Sequence, residues 1–328
     1  MGRYILRRLL NYAILLFVAV SLTYFLAASQ LNPRVLWELA NPPLPAETIE
    51  ASLRAKNLSD NVPLLERYWT WLTGIVTGWE WGEQPRQAGD VSEEIGRRIG
   101  VSIRLITIGI LGGITLGVVL GAWTATRQYK ISDRVTTFGA LAIFSVPVFV
   151  LISIIQVLAT TWNDVTGIRV FEYIGETGSV GSYPGAWLVD RLQHLLLPTL
   201  VLVLSQAAFF SRIQRNLMLD ALGSDFVRTA RAKGLRQGKA VMKHALRTSL
   251  IPTGTYFAFS VATLFLGSTF VEVLFNFHGM GEFAITTIQG QDVHGAVAVA
   301  AFGGVCVLVG ATLADLMVAA LDPRVRVS

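Results

Sequence analysis

The sequence predicts an all-α, polytopic membrane protein with six transmembrane helices, and three observations carry that prediction. Hydrophobic residues make up 52% of the chain, mean hydropathy is +0.53 and charged residues are only 15%, whereas a soluble domain carries about 25% charge. Six runs approach the roughly 20 apolar residues that a helix needs to cross the hydrocarbon layer: 9–28, 101–125, 135–160, 195–210, 253–275 and 296–321. Lys and Arg collect in alternate connections between them, the asymmetry that sorts the two faces of a bilayer. Helix is the required state for all six, because lipid offers backbone polar groups no partner.

The first run follows Arg3, Arg7 and Arg8. A cleaved leader would show an apolar core of about 7–15 residues; this run is longer and reads as an uncleaved anchor. The second run contains GILGGITLGVVLG at 109–121, whose small residues predict close helix packing rather than a ligand site. Pro147 interrupts the third and is expected to kink it, since proline removes an N–H and crowds the preceding turn. The fourth is the weakest, with Pro198 near its start and Arg212 just past its end. Cys306 stands alone in the last run. It excludes a disulfide or paired-thiol framework within the chain and reads as a small buried hydrophobe.

With the N-terminus cytoplasmic, the inner segments are 1–8, 126–134, 211–252 and 322–328, and they hold most of the 27 Lys and Arg residues. Both termini are then cytoplasmic. Three parts follow: a cytoplasmic N-terminus with the first helix (1–28), an extracytoplasmic segment (29–100), and a core of five helices (101–328) that includes the cytoplasmic loop 211–252. The outer segment holds more acids than bases, and its stretch ERYWTWLTGIVTGWEWG (66–82) contains four tryptophans. These fit an aromatic belt at the membrane interface.

Catalytic chemistry is missing from the sequence. GLRQGKA (234–240) is a near miss for a phosphate loop, with three residues between its glycines and an alanine where a hydroxyl should meet Mg. There is no HExxH, no GxSxG and no paired Cys/His ligand set, and His194, His244, His278 and His294 are scattered. No metal, cofactor or catalytic residue is assigned to this chain. Ionisable groups within the spans are few, chiefly Glu272 near the outer end of the fifth and Asp315 in the sixth, and the lack of such groups near the midplane argues against an ion-coupled carrier. The basic charge is read as topology and implies no nucleic acid.

One cytoplasmic stretch looks folded: RTARAKGLRQGKAVMKHALRTSLIP, 228–252. Ser224 is placed as an N-cap and Asp225 in the first turn, where the helix dipole favours an acid. Gly234 fits the left-handed position that stops a helix, with Leu235 packing back on Ala230. A second helix from about Lys239 then leads into Pro252. The result is a helix–Gly–helix bracket. Residue physics alone leaves two uses open: resting on anionic headgroups, or docking a partner.

The residues Arg228-Thr229-Ala230-Arg231-Ala232-Lys233-Gly234-Leu235, then His244-Ala245-Leu246-Arg247 and Pro252, resemble the cytoplasmic motif of bacterial ABC importer permeases. They match the peptide branch while departing from the generic Glu-Ala-Ala form at its first two positions. YILRRLL near the start, YWTWLTGIVTGWEWG (with Trp79-Glu80-Trp81 in place of the usual residues), VEVLFNFHGMGE (with His278 in place of a proline) and the terminal DPRVR extend the similarity across nearly the whole chain, and most nearly to the oligopeptide permease B-type subunits in their actinobacterial form.

That resemblance implies a multi-pass subunit of the bacterial inner membrane. It implies a second permease subunit, two ATPase subunits or domains that bind ATP and Mg, an extracytoplasmic peptide-binding protein and a peptide substrate. Arg228, Thr229, Ala230, Arg231, Gly234, Leu235, His244, Leu246 and Arg247 would form the ATPase-coupling site. Gly234 would be the bend; Thr229, Ala230 and Leu235 the packing face; Arg228, Arg231 and Arg247 the polar contacts. Phe277, His278, Gly279, Met280 and Gly281 would line an outer gate, with Gly279 and Gly281 also supplying the backbone freedom of a tight turn. The competing function is a self-sufficient channel or ion-coupled transporter.

Overall fold

The structure is a computed structural model that describes residues 2–38, 44–85, 89–178 and 184–321; the DPRVR terminus lies outside them. In chain order run α1 (Gly2–Gln30), α2 (Pro33–Glu38), α3 (Ala46–Ala55), α4 (Leu64–Gly78), α5 (Val91–Ala125), α6 (Ile131–Ser145) and α7 (Val148–Thr166). Then come α8 (Ala186–Gly223), α9 (Asp225–Ala232), α10 (Gln237–Ala240), a π-helical segment (Val241–Leu246), α11 (Arg247–Leu274), α12 (Met280–Gln289) and α13 (Val293–Leu321). Apart from one isolated bridge between Glu83 and Asp90, the regular structure among the described residues is helical. Five helices there are long and apolar enough to cross a membrane: Arg7–Gln30, Val91–Ala125, Val148–Thr166, Ala186–Gly223 and Val293–Met317. The expected span 253–275 falls on α11, some of whose side chains lie outside the described residues.

The chain divides into two compact units: Met1–Ser102 with His278–Cys306, and Ile103–Phe277 with Val307–Ser328. The first is built around aromatic rings. Tyr24 stacks at 4.7 Å from Trp71, Phe25 at 4.8 Å from Tyr68, and Trp81 meets Trp71 edge-on at 6.2 Å. The Trp71 indole N–H donates to the Trp81 carbonyl at 3.1 Å. Burying rings of this size contributes about 2–3 kcal/mol each. The interfacial-belt expectation is therefore corrected for Trp71 and Trp81, which are buried; Trp69 and Trp79 are the exposed members, at 59% and 60%. Gly82 sits at φ +104° with the His294 ring against it, so close that an added Cβ would fall 2.5 Å from Nδ1. Arg98 reaches Glu94 and Glu282 and lies 4.8 Å over the Phe283 ring, tying the start of α5 to α12.

Asp292 caps α13, accepting the Gly295 N–H at 3.0 Å. Burial pushes its carboxyl up to about 6, against the pull of the backbone N–H bonds from Gly295 and His294. A carboxyl raised in the folded state binds its proton more tightly there than when unfolded. The contribution of this group to stability is thus greatest below about pH 4 and is lost as pH rises through 6. Asp292→Asn keeps a good cap and removes the charge. It is expected to flatten the pH 4–7 dependence of the thermal midpoint and to stabilise the chain at pH 7 by about 2–3 kcal/mol. Thermal unfolding in detergent across that range checks it; an unchanged slope would refute the assignment.

In the second unit α5 lies flush on α8. A Cβ on Gly113 would run into Gln206, one on Gly117 would come within 2.6 Å of the Phe210 Cβ, and one on Gly121 within 2.5 Å of the Ser211 carbonyl oxygen. The glycine stripe is close helix packing, as its composition predicted. Proline behaves less uniformly. Pro147 does not kink one long helix but separates two: α6 ends at Ser145, Val146 is extended at φ −83°, ψ 126°, and α7 begins at Val148. The clash of the proline ring with the residue before it favours that extended conformation. Pro198 and Pro252, by contrast, lie inside α8 and α11. The weak fourth span proves to be part of the longest helix described, 38 residues, which continues beyond Arg212 to Gly223.

Candidate functional site

The bracket begins where α8 stops. Ser224 is extended at φ −75°, ψ 153°, the backbone of an N-cap, yet its hydroxyl donates back to the Ala221 carbonyl and makes no cap bond to α9. The expected side-chain cap is thus corrected: the serine closes the preceding helix. Asp225 does stand in the first turn of α9, fully in solvent. At the other end Gly234 adopts φ +87°. Its N–H donates to the Arg231 carbonyl at 2.9 Å, and the Leu235 N–H reaches the Ala230 carbonyl at 3.2 Å. Those two bonds are the Schellman stop expected from the sequence.

Packing explains why α9 holds its place although eight residues make a marginal helix in water. Val227 and Ala230 of α9, Ala240 and Ala245 beyond the bend, Met218 and Ala221 of α8 and Ala125 at the end of α5 share one buried cluster. Leu235, Val241 and Leu246 pack on its edge. The opposite face carries Arg228, 73% exposed in its side chain, with Thr229, Arg231, Lys233 and Arg236. Arg228, Arg231, Gly234, Leu235 and Gln237 line an open groove on that face. Thr229 therefore belongs to the open side; the packing role expected for it falls to Val227. His244 and Leu246 are half-buried, and Arg247 is exposed at the first residue of α11.

Beyond the bend the backbone is α10, the π turn and α11 in unbroken succession. The π turn was not anticipated, for VMKHAL has no distinctive composition. It turns Ala245 fully inward and feeds the bracket directly into α11.

Two polar contacts on α8 brace this region. The Arg215 guanidinium makes a paired contact with Asp133, at 2.7 and 2.9 Å. Asp133 also accepts the Tyr129 N–H and the Thr137 hydroxyl. The Arg215 hydrogen bonds, opposed by burial, hold its carboxyl down to about 2, so the pair stays ionised at any physiological pH. Asp133 is buried but Arg215 is partly open to solvent, so removing one partner costs less than the roughly 3–5 kcal/mol of a fully buried pair. One residue earlier, Gln214 is fully buried and donates to Ser249 at 2.8 Å while accepting from Thr253 at 2.7 Å.

The five residues expected at an outer gate are divided between the two units. Phe277 lies in the second unit, buried, its N–H on the Glu272 carbonyl at 2.7 Å. In the first unit His278 is half-exposed near Glu282, and Met280 is buried with its N–H on the Ser102 hydroxyl at 2.7 Å. The glycines do not supply the turn. Gly279 is at φ −95° and Gly281 is helical, whereas Asn276 takes the left-handed conformation at φ 56°. Asparagine tolerates that region because its short side chain bonds locally.

A folded bracket packed on a set of long apolar helices defines a polytopic membrane protein. Residues 117–327 match the family described as the inner-membrane component of binding-protein-dependent transport systems. The chain is 48% identical, over its full length and that of the relative, to the oligopeptide transport system permease protein OppB of Mycobacterium tuberculosis. It is 28% identical over 99% of its length to the oligopeptide transport system permease protein AppB of Bacillus subtilis. It is 30% identical over 99% of its length to the dipeptide transport system permease protein DppB of Lactococcus lactis. The chain belongs to the family of binding-protein-dependent transport system inner-membrane components, a multi-pass permease subunit of the ABC class.

Proposed function

We propose that this chain is the membrane subunit of an ATP-driven peptide importer, forming half of a translocation path with a second permease subunit. The cargo class follows from the names of its relatives over their whole length. Both termini are assigned to the cytoplasm by the distribution of Lys and Arg, which puts residues 29–100 outside and the bracket inside. ATP and Mg belong to two separate ATPase subunits or domains, and an extracytoplasmic binding protein delivers peptide to the segment 29–100 and the gate at 277–281.

The observation that carries the reading is the bracket of residues 224–252. One face is buried against α8 and the other offers a groove with Arg228 and Arg231 at its rim. A lever closed by a Schellman stop and continuous with α11 can pass a push into the membrane as one body, where a flexible loop would absorb it. Liposome reconstitution tests this. Peptide uptake should need the partner permease, the ATPases, the binding protein and ATP together, with none from this chain alone. Peptide or ion flux through this chain by itself would replace the reading with a self-sufficient channel or carrier.

A further inference from the structure

Gln214 and Arg215 are neighbours on α8, so their side chains diverge by about 100° around the helix. Gln214 is spent on α11 through Ser249 and Thr253, and Arg215 on α6 through Asp133. At the same level Gly121 of α5 brings backbone against backbone: a Cβ there would lie 2.8 Å from the Gln214 Cβ and 2.9 Å from the Arg215 nitrogen. Arg212, one turn away, lies 4.5 Å over the Phe144 ring of α6. Three helices therefore converge on two residues, about two turns before α8 hands over to the bracket.

Geometry separates this from a generic ion pair. A paired guanidinium–carboxylate contact fixes orientation as well as distance. Asp133 also holds the turn between α5 and α6 through the Tyr129 N–H at 2.9 Å. Apolar residues would stabilise the same junction without the desolvation cost of burying charge, but they would let the helices slide.

We propose that Gln214 and Arg215 are positioning residues that clamp α6 and α11 to the cytoplasmic end of α8. A displacement of the bracket then reaches the α5–α6 hairpin as well as the helix it leads into. The inference rests on the bracket being the ATPase docking site.

The test uses the complete transporter in liposomes and reads peptide imported per ATP hydrolysed, with co-purification of all subunits as the measure of assembly. Asp133→Asn should assemble and lose at least tenfold in that ratio. Arg215→Lys, which keeps the charge but loses the paired contact, should fall between Asp133→Asn and wild type. Should Asp133→Asn fail to assemble, Arg215→Lys alone decides, since it leaves no charge unpaired.

Spin labels at Lys239→Cys and Val135→Cys, both exposed, in a Cys306→Ala background give a second readout. Their separation should stay constant on ATP binding in the wild type and change in Asp133→Asn. A wild-type transport ratio in both variants, or a separation that changes with ATP in the wild type, overturns the proposal. Gly234→Pro is run alongside. If it is impaired while the clamp variants are not, only the clamp fails; if Gly234→Pro is unaffected, the docking reading itself fails.

Discussion

Gly234→Pro is expected to abolish ATP-coupled peptide uptake, with a loss of at least 100-fold, while the chain still reaches the membrane and binds its partner permease. Proline is confined to φ near −65°, and the native backbone here is at +87°. The substitution also deletes the N–H that donates to the Arg231 carbonyl. The stop at the end of α9 cannot form, and Leu235 loses its place on the Met218–Ala221 cluster. Gly234→Ala makes the informative contrast. No atom lies within 4 Å of an added Cβ, so alanine meets only the left-handed backbone penalty, about 1–2 kcal/mol. Its uptake should fall by no more than about tenfold. Paired measurement of uptake and ATP hydrolysis in liposomes checks both. Equal impairment of the two variants would mean that any side chain at position 234 is harmful, rather than loss of the bend.

The second large effect is expected on stability. Gly121→Leu should prevent recovery of folded, monodisperse protein, and Gly117→Leu should behave alike. At Gly121 the atoms in the way are the Ser211 carbonyl oxygen at 2.5 Å and the Arg215 nitrogen at 2.9 Å. Both are backbone, so no side chain can rotate aside and α5 must lift from α8. Overpacking a tight interface costs about 1–3 kcal/mol even where side chains can yield; here the whole contact is forfeited. Gly139→Leu in α6 is the matched control, because nothing lies within 4 Å of its Cβ position. Size-exclusion profiles and thermal midpoints in detergent distinguish them. Gly121→Leu protein as stable as the Gly139→Leu protein would refute the packing argument.

Both effects rest on glycines whose roles were legible in the sequence, because each leaves a local trace: a run of small residues on one helix, a glycine at the end of a basic helix. Proline is less readable. Pro147 ends a helix while Pro198 and Pro252 are carried inside α8 and α11; the ring clash is the same in all three. The outcome is set by tertiary context, which overrides local preference and which no single segment encodes.

Tryptophan identity likewise did not separate Trp71 and Trp81, inside a core, from Trp69 and Trp79 at the surface. The clamp was out of reach altogether. Asp133 and Arg215 are 82 positions apart, and Gln214 and Thr253 are 39 apart. Each alone is an ordinary polar residue. Their meaning appears only when three helices bring them to one level.

The His294 ring that fills the space left by Gly82 bears on any attempt to exchange parts between importers. A chimera that grafts residues 29–100 from a relative would place a foreign segment against a resident α13. Any side chain at position 82, or any smaller residue at 294, would leave a collision or a void at the seam. Swaps of this segment should carry the first turn of α13 along with it, so that the two sides of the joint come from one ancestor.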